Sequence, residues 1–149
     1  MTAATTSSDA LGVDDLQEIT MLVSRLCQAL DHSRPHDFAR VFAADGVYQA
    51  VSSEATGETL RFRHVGTQEL LAFAEAAVAK RQGLGRHWTG NLLIDGAGDA
   101  AAAASYVLFI EIDPDTMERR ITIAGTHRDE FVRTPDGWRF ASRTVVADI

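Results

Sequence analysis

The first third of the chain carries apolar residues at the three- and four-residue spacing of a helix. Asp14 and Gln17 form a potential capping box, in which side chains satisfy free backbone amides of the first turn. The pattern predicts an amphipathic helix from this box to about residue 31. Its apolar stripe consists of Leu16, Ile19, Leu22, Val23, Leu26, Cys27 and Leu30. Asp31 lies at the edge of that stripe, one turn after Cys27.

Two further helices and two short strands are predicted before residue 86. The second helix has Pro35 in its first turn, where proline is favoured. An Asp-Gly turn then leads into a strand over residues 47–51, the polar residues 52–58 predict a loop, and a second strand covers residues 60–64. Thr67 can cap the third helix, which Gly83 and Gly85 are expected to end. The apolar face of the third helix consists of Leu70, Leu71, Phe73, Ala74, Ala77 and Val78.

From His87 onward the pattern becomes that of long β segments. The predicted strands are residues 87–95, 100–113, 119–133 and 138–147, separated by turns rich in Asp, Pro and Gly. Short connections of this kind join antiparallel neighbours. Helices followed by an antiparallel sheet predict an α+β domain, in which the helices cover one face of the sheet.

Composition indicates one globular domain. The chain has 149 residues, 46% of them hydrophobic and 23% charged, which is typical of a soluble protein. Residues 1–12 are rich in Ala, Thr and Ser and predict a disordered leader, so the domain is expected over residues 13–149. This leader has neither the basic residues nor the apolar segment of a signal peptide, and no membrane span is predicted.

Charge and cysteine content narrow the possible partners. A net charge of −7 without any run of Lys or Arg argues against a nucleic-acid partner. The single cysteine, Cys27, excludes an internal disulfide and a cysteine-based zinc site, and it favours a reducing cytoplasmic location.

Three stretches of the sequence carry a family resemblance. They are LCQALDHSRPHDFARVFAADGVY, RHWTGNLLIDGAGDAAAAASY and AGTHRDEFVRTPDGWRFASRTVVAD. In order and spacing over residues 13–148 they resemble the SnoaL-like group of the NTF2-like superfamily, which includes relatives of scytalone dehydratase and hexachlorocyclohexane dehydrochlorinase. The resemblance implies a curved antiparallel sheet wrapped around the helices, with a deep apolar pocket in the cone. It does not fix the substrate, because this fold hosts dehydratases, isomerases, cyclases, epoxide hydrolases and binding modules.

The same resemblance implies that Asp31 and His87 form a proton-transfer dyad. A carboxylate that is hydrogen-bonded to one imidazole nitrogen fixes the tautomer, so the other nitrogen can accept a proton. Such a dyad requires no metal or cofactor. Without the resemblance, the simpler interpretation is that Asp31 caps the following turn and that His87 bonds backbone at the end of a strand.

Strand alternation identifies His127 as a third candidate. Ile121, Ile123, His127 and Phe131 share one face of their strand, so His127 is expected to face the apolar interior. It could relay a proton or simply belong to the core. The residues expected to bind substrate are Tyr48, Trp88, Asn91, Tyr106, Asp129 and Phe131. For the first four, a place in the core or at the rim is the alternative, and Asp129 could instead orient His127 or Arg143.

Other motifs do not support a different chemistry. His32 and His36 lie near Asp31 and Asp37, but His32 falls on the polar face of its helix, so no metal site is expected. No serine occurs in a G-x-S-x-G nucleophile elbow. The glycines at 83 and 85 follow a helix instead of a strand, which excludes a dinucleotide fingerprint.

The predicted function is cofactor-independent acid/base chemistry on an apolar cyclic or polyketide-like small molecule. Dehydration, double-bond isomerisation and aldol cyclisation all begin with removal of a proton next to a carbonyl or similar group, so one dyad serves all three. The alternatives are a non-catalytic binding domain and an assembly subunit similar to the β subunits of ring-hydroxylating dioxygenases. Because one curved sheet leaves much of its outer face uncovered, a homodimer or homotrimer is also predicted.

Overall fold

The computed structural model describes residues 10–54 and 56–148, which form three helices and one six-stranded sheet. Of the leader predicted over residues 1–12, residues 1–9 lie outside the described residues. In chain order the elements are α1 Val13–Asp31, α2 Pro35–Arg40, β1 Phe42–Glu54, β2 Gly57–Val65, α3 Gly66–Arg81, β3 Gly85–Ala97, β4 Ala100–Ile112, β5 Arg119–Thr134 and β6 Gly137–Asp148. Ala10 forms a β-bridge with Ala97, so regular structure is present before the predicted domain start at residue 13.

The strand order is β2-β1-β6-β5-β4-β3, which confirms the predicted α+β class. Neighbouring strands are antiparallel, except that β1 pairs with β6 in parallel. That pair joins the strands before α3 to those after it. The fully antiparallel sheet of the prediction is therefore corrected at one position.

Two predicted caps are replaced by neighbouring residues. In α1 the carboxylate of Asp15 accepts a hydrogen bond from the amide of Gly12, at 3.2 Å, in place of the Asp14–Gln17 box. Asp15 is also bonded by Arg133 and by the indole of Trp138, so its contacts with the sheet fix the register of the helix start. In α3 the carboxylate of Glu69 accepts from the amide of Val65, and Thr67 makes no cap.

The predicted loop at residues 52–58 is a β hairpin. β1 continues to Glu54 and β2 begins at Gly57, with Ser52 opposite Thr59. The polar pattern is misleading here because β2 is an edge strand whose outward side chains meet solvent. Arg61 of β2 bonds the Ser52 hydroxyl and the Glu54 carboxylate of β1 across the hairpin.

The hydrophobic core lies between the three helices and the adjoining part of the sheet. Its largest fully buried side chains are Ile19, Leu26, Leu30, Phe38, Leu70, Trp138 and Phe140. This packing holds α1 against the sheet and places its last residue, Asp31, beside β3. None of the helices in the described ranges is long and apolar enough to cross a membrane.

Candidate functional site

A cavity of about 540 Å³ opens between α3 and the inner face of the sheet. Its apolar wall includes Phe62, Phe73, Val107, Phe109, Ile123 and Val145. Polar side chains from several elements reach into the same space. They are Tyr48, Arg61, Lys80, Arg81, His87, Glu111, Thr122 and His127.

Asp31 and His87 meet at the edge of this cavity. Oδ1 of Asp31 lies 2.6 Å from Nδ1 of His87, and Oδ2 of Asp31 accepts a 2.9 Å hydrogen bond from the backbone amide of His87. The side chains are only 5% and 9% exposed, respectively. Two contacts to one carboxylate fix both its position and the imidazole's, so the end of α1 and the start of β3 form a rigid pair.

The carboxylate of Asp31 is held in its ionised form. Burial alone would raise its pKa, but the side-chain and backbone hydrogen bonds from His87 and the nearby positive charge of Arg81 outweigh burial, so the pKa of Asp31 is below its usual value. An ionised carboxylate can only accept, so Nδ1 of His87 carries the proton in this contact. Nε2 is then the nitrogen that is free to accept a proton.

The ring of Phe109, on β4, packs against the imidazole of His87. The rings of His87 and Phe109 lie 4.6 Å apart between centroids. Phe109 can lie this close to β3 because Gly85 has no side chain: a Cβ there would stand 2.7 Å from Cζ of the phenylalanine ring. The glycine that sequence analysis interpreted as a helix end therefore makes room for the ring under the dyad.

His127 lines the same cavity from β5 and is buried. Its Nδ1 has no hydrogen-bond partner among the residues that the structure describes. Burial lowers the pKa of His127 to about 2, and the positive charge of Arg143 acts in the same direction. His127 is therefore a neutral imidazole under ordinary conditions.

One of the four residues that strand alternation assigned to the same inner face as His127 does not lie on that face. Ile121 is 60% exposed and lies outside the cavity, whereas its neighbour Thr122 lines it. The cause is an irregularity in the β4–β5 pairing, where Phe109 opposes Ile123 but the next residue, Ile110, opposes Ile121. The extra residue reverses the alternation on one side of the bulge.

Asp129 and Phe131 are buried but do not line the cavity. Asp129 forms a two-pronged ion pair with Arg143, at 2.8 and 2.7 Å, and the same guanidinium approaches Sγ of Cys27 at 3.8 Å. Phe131 packs against Phe140 in the core. Both were predicted to bind substrate, and the structure instead places both side chains in the packed interior. The pairing of Asp129 with Arg143 agrees with the alternative interpretation of that residue.

Tyr48 is the predicted substrate-binding residue that the structure places on the cavity wall. It is buried among the rings of Phe38, Phe62 and Phe73. Burial raises the pKa of Tyr48 to about 12, so its hydroxyl remains protonated and can donate a hydrogen bond.

Trp88, Asn91 and Tyr106 do not line the cavity, which corrects the prediction. Trp88 and Tyr106 are 70% and 61% exposed on the outer face. Trp88 follows the inward-facing His87, and Tyr106 lies between buried residues of β4, so alternation directs both outward. Asn91 is exposed at a bulge, where its φ of 53° departs from strand geometry.

Sequence reasoning missed Arg81, Lys80 and Glu111 as cavity residues. A basic pair in the last turn of a helix is expected simply from the helix dipole, so the sequence carries no signal that separates Arg81 from an ordinary solvated arginine. As regards metals, the described ranges hold no cluster of three or more His, Cys, Asp or Glu side chains that could bind an ion.

Comparison with known families fits this architecture. Residues 12–144 match the family model described as a SnoaL-like domain. The chain belongs to the SnoaL-like family. No curated protein matches the sequence significantly.

Solved structures share the fold of this SnoaL-like domain at low identity. A Mycobacterium tuberculosis protein of unknown function matches with a TM-score of 0.76 and 23% identity, covering 92% of this chain and 78% of its own. The β subunit of a proposed aromatic-ring-hydroxylating dioxygenase from Novosphingobium aromaticivorans matches with 0.76 and 24%, covering 93% of both chains. A proposed dehydratase of the NTF2-like family from Streptomyces avermitilis matches with 0.73 and 15%, covering 90% and 96%. These likenesses establish the NTF2-like fold.

Proposed function

We propose that this SnoaL-like protein is a cofactor-independent acid/base enzyme that acts on a mostly apolar cyclic or polyketide-like small molecule. The observation that carries the proposal is the 2.6 Å contact between Asp31 and His87 at a cavity of about 540 Å³. A buried carboxylate–imidazole pair beside an apolar cavity is the arrangement expected of a general base. The family includes both enzymes and proteins of unknown function, so the site carries the argument.

In the proposed reaction His87 removes a proton from a carbon next to a carbonyl. Nε2 takes the proton, the C–H electron pair moves to form an enolate, and Asp31 stabilises the resulting imidazolium through its Nδ1 proton. The imidazolium then returns the proton to another carbon of the substrate, to a departing hydroxyl group that leaves as water, or to the oxygen formed when the enolate attacks a second carbonyl. These endings correspond to isomerisation, dehydration and cyclisation, and none requires a cofactor.

His127 and Tyr48 are proposed to contact the substrate oxygen. Because His127 is neutral, it would act as a hydrogen-bond donor and not as a cationic acid. The protonated hydroxyl of Tyr48 can donate in the same way. Donors aimed at an oxygen that gains charge in the transition state stabilise it more than the ground state.

A second candidate is an assembly subunit, which the likeness to a dioxygenase β subunit favours. That role needs the outer sheet face but no cavity. The open cavity and the dyad favour catalysis, or at least the binding of a small molecule, over assembly alone.

Exchange of α protons with solvent tests the proposal without knowledge of the natural substrate. Wild-type protein in D₂O should accelerate deuterium incorporation into 2-tetralone, an apolar cyclic ketone, as followed by proton NMR. His87→Ala should reduce this acceleration by roughly 10²-fold or more, and His127→Phe should keep the fold while slowing the exchange. Equal rates for wild type and His87→Ala would contradict the proposed role of the base.

A further inference from the structure

Arg81, the last residue of α3, lines the cavity and carries a cationic donor without a hydrogen-bond partner within the described ranges. Its Nη1 is buried, and no acceptor lies within hydrogen-bond distance of it among residues 10–54 and 56–148. A buried charged donor without an acceptor costs free energy, which a bound anion would offset.

The guanidinium of Arg81 is held in a defined place relative to the dyad. Its Cζ lies 4.3 Å from the centroid of the Phe109 ring, and the His87 ring lies 4.6 Å from the same centroid. The guanidinium and the imidazole are therefore separated by no more than the sum of these distances. One small molecule can contact both groups.

The charges around Arg81 leave it available for a ligand. Asp31, which lies near Arg81, already uses both carboxylate oxygens to bond His87. Arg61, another cation of the cavity, is bonded to Ser52 and Glu54.

Cationic side chains outnumber carboxylates among the residues that line the cavity, and the ionised Asp31 lies at its edge. Lys80 and Arg81 contribute two cations beyond Arg61, against the single lining carboxylate of Glu111. His127 adds no charge, because its pKa is about 2.

We propose that Arg81 binds a carboxylate of the substrate, so that the substrate class is an apolar carboxylic acid. The planar guanidinium presents paired N–H groups that match the two oxygens of a carboxylate. The apolar body of the substrate would lie along Phe62 and Phe73, with the acidic C–H bond at His87. This inference rests on the proposed function only in taking the cavity as the substrate site.

Binding of a matched pair of probes tests the inference. The probes are 2-naphthoate and 2-naphthamide, which share size and shape but differ in charge, and their affinities can be measured by isothermal titration calorimetry at pH 7. Wild-type protein should bind the naphthoate about 10-fold more tightly than the amide, as expected for a charge-assisted hydrogen-bonded pair. Arg81→Gln should abolish this preference by weakening naphthoate alone.

Two further variants make the test decisive. Arg40→Gln removes the same charge from an exposed residue outside the cavity and should keep the wild-type preference, which excludes general attraction to surface arginines. Arg81→Lys keeps the charge but loses the paired N–H groups of the guanidinium. The affinity for naphthoate should therefore fall about threefold, while the affinity for naphthamide does not change. This conservative variant decides the matter if Arg81→Gln does not fold.

Three results would overturn the inference. The first is that the wild type binds naphthoate no more tightly than naphthamide, or binds neither. The second is that folded Arg81→Gln keeps the wild-type preference. The third, which applies where Arg81→Gln fails to fold, is that Arg81→Lys keeps it. His87→Ala should retain the preference, since it removes the base and not the anion site. A failure of the proposed catalysis would therefore leave the binding result intact, and the two claims can fail separately.

Discussion

At the scale of single residues, the burial of His127 couples its protonation to folding. Its pKa falls from 6.5 in the unfolded chain to about 2 in the folded one. Between these values the unfolded state binds one more proton, so stability rises with pH in this window and is lost on acidification.

We predict that His127→Phe flattens the acid side of the stability profile. Phenylalanine fills a similar volume and takes up no proton. Between pH 6.5 and the acid limit of folding, the slope of the free energy of unfolding against pH should therefore be smaller by about 1.4 kcal/mol per pH unit. Urea unfolding at several pH values measures this slope. His36→Gln removes an exposed histidine and is the matched control variant. An unchanged slope in His127→Phe would show that His127 is protonated inside the fold.

Helix and strand patterns placed Asp31 at the end of the first helix and His87 at the start of a strand, whereas their pairing was implied by the family resemblance. The structure brings the two side chains into contact. His127 was placed on the inner face by alternation. Trp88 and Tyr106 were wrongly placed at the cavity because their hydrogen-bond donors were given more weight than their positions in the strand alternation. Arg81 could not have been found, since its role depends on Phe109 and on burial that no local pattern encodes.

At the scale of elements, Gly85 determines how β3 packs on β4. Its φ is +156°, and a Cβ would stand 2.7 Å from the Phe109 ring. Gly90, on the same strand, has a φ outside the positive range, and a Cβ added there would meet no atom of the described residues within 4 Å. The two glycines therefore form a natural pair of test and control.

We predict that Gly85→Ala destabilises the protein by about 1–3 kcal/mol, through overpacking and backbone strain, while Gly90→Ala has an effect of less than about 1 kcal/mol. Chemical denaturation measures both. Because Phe109 supports His87 and Arg81, Gly85→Ala should also weaken 2-naphthoate binding. Equal stability of the two variants would mean that the ring moves aside without cost.

The periodicity of the sequence predicted most helices and strands, but not every pairing between strands. The long strands after residue 84 begin and end within about two residues of the prediction, because they alternate clearly and end in turn residues. The hairpin of β1 and β2 was underestimated because its outward side chains are polar. The parallel pairing of β1 with β6 was not predicted, since alternation gives the faces of a strand and says nothing about its neighbours.

At the scale of the whole molecule, the outer face of the sheet carries large exposed apolar side chains. Trp88 and Tyr106 lie on neighbouring strands, and Leu93 and Ile121 are exposed as well. Single exposed apolar residues are ordinary, but such a group on one sheet is typical of an interface.

We predict that the protein is a homodimer or homotrimer and that Trp88→Ser combined with Tyr106→Ser weakens the assembly. Sedimentation velocity at micromolar concentration measures the state of each protein. Met21→Ser removes an exposed apolar residue from α1 and should leave the assembly intact. A monomeric wild-type protein would eliminate the prediction.

A double-mutant cycle on the dyad, with 2-tetralone exchange as the readout, tests whether Asp31 and His87 act as one catalytic unit. If Asp31 orients His87, Asp31→Asn and His87→Ala disable the same step, so each should slow exchange by about 10²- to 10⁴-fold and the double variant should be little slower than the slower single variant. Thermal melting should show that all three variants fold. Losses that multiply, or a melting temperature that collapses together with activity, would contradict the account, because the pair would then be structural.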